Sequence, residues 1–248
     1  MSFGWQDLGG ALLLIAGGLL VAAGIVGLLA WDARRRRSKN AILDVTAAIA
    51  RMWLALCIIG AALTIWRWLS GGDTWVADLP VALPWPEPLP CAQAVPPASP
   101  TTTTLVCAHV GTADATIAAL GLGTKLLLAL GEILAIAVAA SPAILLVVVC
   151  GQALKGAPFS RTVGRWLLIV AVLVLVAGLG AELATSVGRS IAATDVLPPP
   201  GSDAVVTTTG IYRLDVSLWP IGAALALGAL GAVFRRGEVL QRETEGLI

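Results

Sequence analysis

The sequence predicts an all-α membrane protein, a five-helix transmembrane bundle with a small extracytoplasmic loop and β cap. Of its 248 residues, 58% are hydrophobic and only 12% are charged, about half the charge of an average soluble domain. Its mean hydropathy is +0.90. A soluble domain of this composition could not cover its apolar surface. The composition therefore excludes an ordinary soluble enzyme or nucleic-acid-binding domain.

Five apolar stretches are long enough to cross a hydrocarbon core of about 30 Å. None alternates with the period of two that marks a membrane β-strand, so we expect helices. They are Leu8–Trp31, Val45–Ser70, Thr124–Cys150, Trp166–Gly188 and Val216–Phe234.

The first stretch is predicted to be a retained span. Its positive residues follow the apolar run, whereas those of a cleaved signal peptide precede it. Residues 1–40 then form a helix with a basic linker, and residues 41–248 form a four-helix membrane domain.

Lys and Arg are distributed unevenly between the two sides of the predicted bundle. Eleven of the 16 follow the first, third or fifth span, and a twelfth, Arg51, lies about two turns inside the second span near the same side. They are Arg34, Arg35, Arg36, Arg37, Lys39, Arg51, Lys155, Arg161, Arg165, Arg235, Arg236 and Arg242. The side rich in Lys and Arg is cytoplasmic by the positive-inside rule. We therefore expect a multi-pass protein of a bacterial cell membrane, with its N-terminus outside and its C-terminus in the cytoplasm. The arginine run would also attract anionic lipid headgroups.

Two outer segments, residues 71–123 and 189–215, join the spans. The first begins with many prolines, which exclude a helix and favour an extended chain. Thr101–Val110 and Val205–Thr209 have the β-branched composition of strands. We predict that these two runs pair into a small sheet, although unpaired loops are an equal alternative.

The four cysteines separate by location. Cys91 and Cys107 fall outside, where disulfides persist, so we expect them to be joined rather than free. Cys57 and Cys150 fall within spans and are interpreted as small core residues. The sequence has a single histidine, His109, and no paired-cysteine motif. We therefore expect no metal or other cofactor, and the lack of any catalytic motif predicts that the protein is not an enzyme.

Glu132 and Glu182 are the sharpest candidates for a functional site. Each falls in the outer part of a span, and an ionisable group at membrane depth needs a partner or a wet cavity. One interpretation is an outward-facing cleft with Lys125, Arg189 or Arg67 as the opposite charges. The alternative is that the two glutamates form structural ion pairs or reach outward to the interface.

Small residues recur at helical spacing in two spans. Gly10, Gly17 and Gly24 repeat every seven residues, and Ala224, Gly228 and Ala232 form a second ladder. Such residues let helix backbones approach closely. They predict packing within the chain or, more sharply for the first span, a seam with another subunit.

Two cytoplasmic motifs resemble those of the DUF2975 family of bacterial integral membrane proteins. The first runs from Gly156 through Pro158, Phe159 and Ser160 to Arg165, and the second is Phe234–Gln241 followed by Glu243 and Glu245. The resemblance covers residues from about 41 to 248. It implies a four-span domain of no established activity, to which the first span is an addition. The family's members look like partners of small helix-turn-helix regulators.

These motifs also suggest a cytoplasmic docking surface, unless the tail is simply a solvated end. Its candidate residues are Pro158, Phe159, Ser160, Arg165, Phe234, Gly237 and Leu240. We therefore expect a non-enzymatic regulatory or sensor component with a protein partner in the membrane or cytoplasm and no direct contact with nucleic acid. The alternatives are an accessory subunit of a larger membrane complex and a small transporter. Transport is disfavoured because we see no inverted repeat and only Pro142 suggests a broken helix.

Overall fold

The computed structural model describes residues 41–70, 72–84, 109–155, 160–212, 214 and 216–245. This part of the chain is mostly helical with a small two-stranded sheet, as predicted. Its elements are α1 (Ala41–Leu69), β1 (Thr74–Pro84), β2 (His109–Ile117), α2 (Leu122–Leu154), α3 (Arg161–Val196) and α4 (Trp219–Glu245). The predicted span Leu8–Trp31, with Gly10, Gly17 and Gly24, lies outside the described residues, as do Cys91 and Cys107.

Three helices in the described ranges are long and apolar enough to cross a membrane: α1, α2 and α3. The prediction for the fifth span needs correction, because its helix begins at Trp219 rather than Val216. Arg235 then follows after sixteen residues, 219 to 234, which extend only about 24 Å at 1.5 Å per residue. That apolar length is short of a core of about 30 Å. The described residues therefore do not support a count of five spanning helices.

A small sheet is present, but the described residues build it from β1 and β2; residues 101–108 of the predicted strand Thr101–Val110 lie outside the described part. β1 pairs with β2 in antiparallel register, from Thr74 opposite Ile117 to Pro84 opposite His109. With other described residues, the run Val205–Thr209 forms an isolated bridge between Thr207 and Ala82 and no strand. β1 was not predicted as a strand because its prolines hid its strand character, although a proline is tolerated at a sheet edge or irregularity.

The chain divides into two compact units. The first takes in the described residues up to Ile58 together with Ala140–Val172 and those from Ala224 onward. Its buried side chains include Val163, Leu167 and Val170 of α3. Both Cys57 and Cys150 were expected to be core residues. Cys150 is buried, as predicted, whereas Cys57 is only half-buried.

The second unit, Ile59–Ala139 with Leu173–Ala223, carries the sheet. Its core joins one face of the sheet to the ends of three helix segments and includes Trp68, Leu79, Leu128 and Ala192. Leu79 and Ala192 are almost completely buried.

Within the second unit, α2 and α3 approach closely at Gly131. A Cβ placed on Gly131 would lie 2.5 Å from Thr185 Cγ2 and 3.2 Å from the carbonyl oxygen of Ala181. Only a glycine fits at this distance without a shift of the neighbouring atoms, so Gly131 lets the two helices approach one residue before Glu132.

Within the first unit, α3 and α4 meet at Gly164 and Gly231. A Cβ on Gly231 would lie 3.6 Å from the carbonyl oxygen of Gly164. The predicted ladder of Ala224, Gly228 and Ala232 on α4 does not form this contact with α3. Gly228 has open space where its Cβ would be, and Ala232 is exposed.

Candidate functional site

Glu132 of α2 is bound by two adjacent residues at the end of α1. Arg67 Nη2 donates to both carboxylate oxygens at 2.5 Å, and the indole Nε1 of Trp68 donates to Oε2 at 3.0 Å. The Arg67 guanidinium also lies over the Trp68 ring, 5.2 Å from its centroid. Three hydrogen bonds therefore satisfy a carboxylate that would otherwise be costly in an apolar helix.

A bulge in β1 places a second carboxylate beside α3. Between the paired residues Val76 and Leu79, Ala77 and Asp78 face the single residue Asp114. Asp78 adopts a positive φ of 53°, a conformation that Asp tolerates better than most residues. Its amide donates to Asp114 Oδ1 at 3.0 Å. The bulge turns the Asp78 side chain toward Arg189, whose Nη2 lies 3.4 Å from Oδ2.

These groups surround a cavity of about 90 Å³ in the second unit. Arg67, Trp68, Leu128, Glu132, Thr185 and Arg189 line its helical side, and Trp75, Val76 and Ala77 of β1 line the rest. The lining carries two positive charges and one negative charge. Because Arg67, Glu132 and Arg189 are each at least one-third exposed, water and small solutes can reach them. The arrangement is suited to a small anion, such as a carboxylate, that competes with Glu132 for a guanidinium.

The structure brings together only part of the cleft expected from the sequence. Glu132 and Arg189 share the cavity, and Arg67 supplies the opposite charge. Glu182 does not line it. Instead, Glu182 Oε2 accepts the Ser217 amide at 2.5 Å, just before α4 begins at Trp219. A carboxylate there stabilises the positive end of the helix.

Lys125 also lies away from this cavity. It is half-buried near the start of α2 and forms no ion pair with another described residue.

Trp68 and Asp78 were missed by sequence reasoning. Trp68 has the sequence context of an ordinary interfacial tryptophan, and Asp78 falls in a segment expected to be merely extended. Only the register of β1 against β2 places Asp78 beside α3, and no local sequence signal reports that register.

The candidates for cytoplasmic docking fall partly within the described chain. Pro158 and Phe159 lie outside it, as does the side chain of Leu240. The Ser160 carbonyl accepts the Val163 amide at 3.0 Å, at the start of α3. Its hydroxyl, however, is buried without a hydrogen-bond partner among the described residues.

The other docking candidates lie on α3 and α4. Arg165 is exposed on the second turn of α3, while Phe234 and Gly237 are half-buried on α4.

Comparison with known proteins gives no family for this chain. No protein-family model matches it, and no curated protein or solved structure does so either. The resemblance to the DUF2975 family therefore stays a prediction.

Proposed function

We propose that this protein is a non-enzymatic regulatory or sensor component of a bacterial cell membrane, and that its sensing site is the cavity lined by Arg67, Glu132 and Arg189. The ligand class is a small anion. The single observation that carries the proposal is that guanidinium groups from α1 and α3 line one accessible cavity while each pairs with a carboxylate of the chain itself. An anion from solution can replace such a partner.

The weak packing of α1 links ligand binding to a change in the protein. Of the described side chains of α1, only those of Ala47, Ala50 and Trp68 are buried. In the second unit the helix is therefore held chiefly by Trp68 and by the bonds of Arg67 and Trp68 to Glu132. An anion that takes Arg67 from Glu132 would loosen this attachment, which provides the two alternative states that a sensor requires.

The cavity can be tested with acetate and inorganic phosphate as probes. Binding would be measured as a shift in the thermal unfolding midpoint of the protein in mild detergent at constant ionic strength. Arg189→Gln removes one anion-binding group and should weaken binding about fivefold to tenfold, because the side chain is partly exposed. Glu132→Gln removes the internal competitor of the anion and should strengthen binding instead.

Lys125→Gln is the matched control, because it removes one positive charge without altering the cavity lining. It should leave binding unchanged. Equal losses in Arg189→Gln and Lys125→Gln would reduce the effect to general surface charge. Weaker binding by Glu132→Gln would mean that Glu132 helps to hold the ligand, and would contradict the competition mechanism.

The topology that accompanies this function has five spans, with the N-terminus outside and the C-terminus in the cytoplasm. The segment Leu8–Trp31 supplies the first span and α4 the last. Because the apolar part of α4 is shorter than the hydrocarbon core, this topology requires local thinning of the bilayer or an Arg235 side chain that reaches back to the interface. The cytoplasmic docking surface lies near Gly237 and Leu240. The distribution of Lys and Arg supports this orientation. Cysteine-accessibility labelling should place residues 71–123 outside and residues 34–39 inside. Labelling of residues 34–39 from outside intact cells would reverse the orientation.

A second candidate function is an accessory subunit of a larger membrane complex. The exposure of α1 favours it: 6% of the residues in its most apolar window are buried, against 44% in α3. Such a face must be covered by lipid or by a partner helix. Purification in mild detergent distinguishes the two functions, because a stoichiometric large partner would support the subunit and its absence would support the sensor.

A further inference from the structure

The first unit contains an open groove between the start of α3 and the later part of α4, and none of the residues of the anion cavity lines it. Its volume is about 870 Å³. The groove is lined by Arg161, Thr162, Arg165, Trp166, Leu168, Ile169, Arg235 and Glu238. Its residues come from two helices that pack directly on each other at Gly164 and Gly231.

Positive charge dominates the polar part of the groove. Three arginines line it against one glutamate, Glu238, which pairs with Arg161 at 3.6 Å. Arg165 and Arg235 form no ion pair with any other described residue. Among the described residues, these two guanidinium groups have no carboxylate partner, in contrast to Arg67 and Arg189 of the anion cavity.

The close contact of the helices determines the position of Arg235. The Arg235 Cγ lies 3.5 Å from where a Cβ of Gly164 would be. The aliphatic part of Arg235 thus lies across α3 at the level of Gly164, adjacent in sequence to Arg165.

The other part of the groove is apolar and follows α3 into its membrane-crossing stretch. Trp166 and Ile169 are each more than one-third exposed, and Val172 continues the exposed apolar face one turn further. Tryptophan at the end of such a stretch is typical of the interface between headgroups and acyl chains. A soluble anion gains no binding energy from these apolar side chains, whereas the acyl chain of a lipid can pack along them.

We infer that this groove binds an anionic phospholipid, with its phosphate between Arg165 and Arg235 and an acyl chain along Trp166 and Ile169. Basic pockets between membrane helices bind lipid headgroups in this way. The charge of the polar part and the continuity of the apolar part favour a lipid over a protein partner for Arg165.

The test is native mass spectrometry of the detergent-purified protein with short-chain lipids. Dioctanoyl phosphatidylglycerol should bind the wild-type protein at least about fivefold more tightly than dioctanoyl phosphatidylcholine. The double variant Arg165→Gln/Arg235→Gln should weaken phosphatidylglycerol binding roughly thirtyfold, since each arginine near a headgroup contributes about fivefold. Arg165→Lys/Arg235→Lys keeps the charge and should retain most of the affinity.

The matched control is Lys155→Gln/Arg236→Gln. It also removes two positive charges, one of them adjacent to Arg235, but neither residue lines the groove. Its affinity for phosphatidylglycerol should stay within about twofold of wild type, because neither side chain lines the groove and exposed charges are weakened by water and salt.

Three results would overturn the inference. An equal loss in the control variant would make the effect one of general surface charge. Glycerol phosphate that binds as tightly as the lipid would make the groove a site for a soluble phosphate. A stoichiometric protein partner that is lost only in Arg165→Gln/Arg235→Gln would make it a protein-docking surface.

Discussion

Gly131→Ala should destabilise the second unit by separating α2 from α3. The new Cβ would lie 2.5 Å from Thr185 Cγ2, about 1 Å closer than the 3.5–4.0 Å at which carbon atoms pack. Thr185 cannot simply turn away, because its hydroxyl donates to the Ala181 carbonyl at 2.8 Å. The backbone carbonyl of Ala181, 3.2 Å from the added methyl group, also cannot yield without a shift of the helix.

The expected net loss of stability is about 0–2 kcal/mol, and about 1–3 kcal/mol relative to a helical glycine replaced by alanine without a steric clash. Overpacking of this kind costs about 1–3 kcal/mol, and replacement of glycine by alanine within a helix returns about 0.8–1.0 kcal/mol. The free energy of unfolding would be measured by titration with a denaturing detergent, relative to wild type. Gly151→Ala is the control in the same helix, because no atom lies within 4 Å of its added Cβ. Its stability should be unchanged or slightly raised.

A second substitution tests whether the loss of stability of Gly131→Ala comes from the clash with Thr185. Thr185→Ser removes the Cγ2 methyl group and keeps the hydroxyl, so Gly131→Ala/Thr185→Ser should recover about 1 kcal/mol of coupling energy. If Gly131→Ala unfolds no more easily than Gly151→Ala, the close approach of α2 and α3 is wrong. The placement of Glu132 beside the anion cavity would then be wrong as well.

Three further predictions test other parts of the chain. Ala119 has a positive φ of 54°, so Ala119→Gly should raise the free energy of unfolding by about 0.5–1 kcal/mol in the same titration, and a loss would contradict that conformation. Glu182→Gln should lower it by about 0.5–1 kcal/mol, because a charge is lost beside the Ser217 amide at the start of α4; no change would exclude that role. Mass analysis without reductant should show Cys91 joined to Cys107, and alkylation of both would refute the pair.

Within the described part of the chain, hydropathy predicted which segments are helical but not where the helices end. The fourth apolar stretch was expected to cover Trp166–Gly188, yet α3 runs from Arg161 to Val196. Hydropathy reports the lipid-facing length, whereas a helix continues through polar residues until its backbone is stopped. The stop here is the three-proline run that begins at Pro198, since proline disfavours helix in the residue before it.

The candidate site was predictable only where a charge interrupts an apolar run. Glu132 stood out for that reason, and its need for a partner pointed to Arg67 among other cations. The same reasoning selected Glu182 equally, although the two residues have different surroundings. Their surroundings differ because of tertiary contacts. Gly131, next to Glu132, lets α2 pack closely on α3, whereas the Ser217 amide, just before α4, donates to Glu182. Neither contact can be predicted from the periodicity or the composition of the sequence.

The attachment of α1 is the physical reason for placing a sensing role at Glu132 rather than elsewhere. In a bilayer, apolar side chains gain little by leaving lipid for a neighbouring helix, so polar bonds and close packing decide where helices associate. α1 has few buried side chains. Its one glycine, Gly60, has no atom within 4 Å of the position that a Cβ would take, so no helix packs closely there. Its position in the second unit therefore depends on Trp68 and on the bonds to Glu132. Since those bonding groups also line the anion cavity, any ligand that competes for them must change the free energy that holds α1.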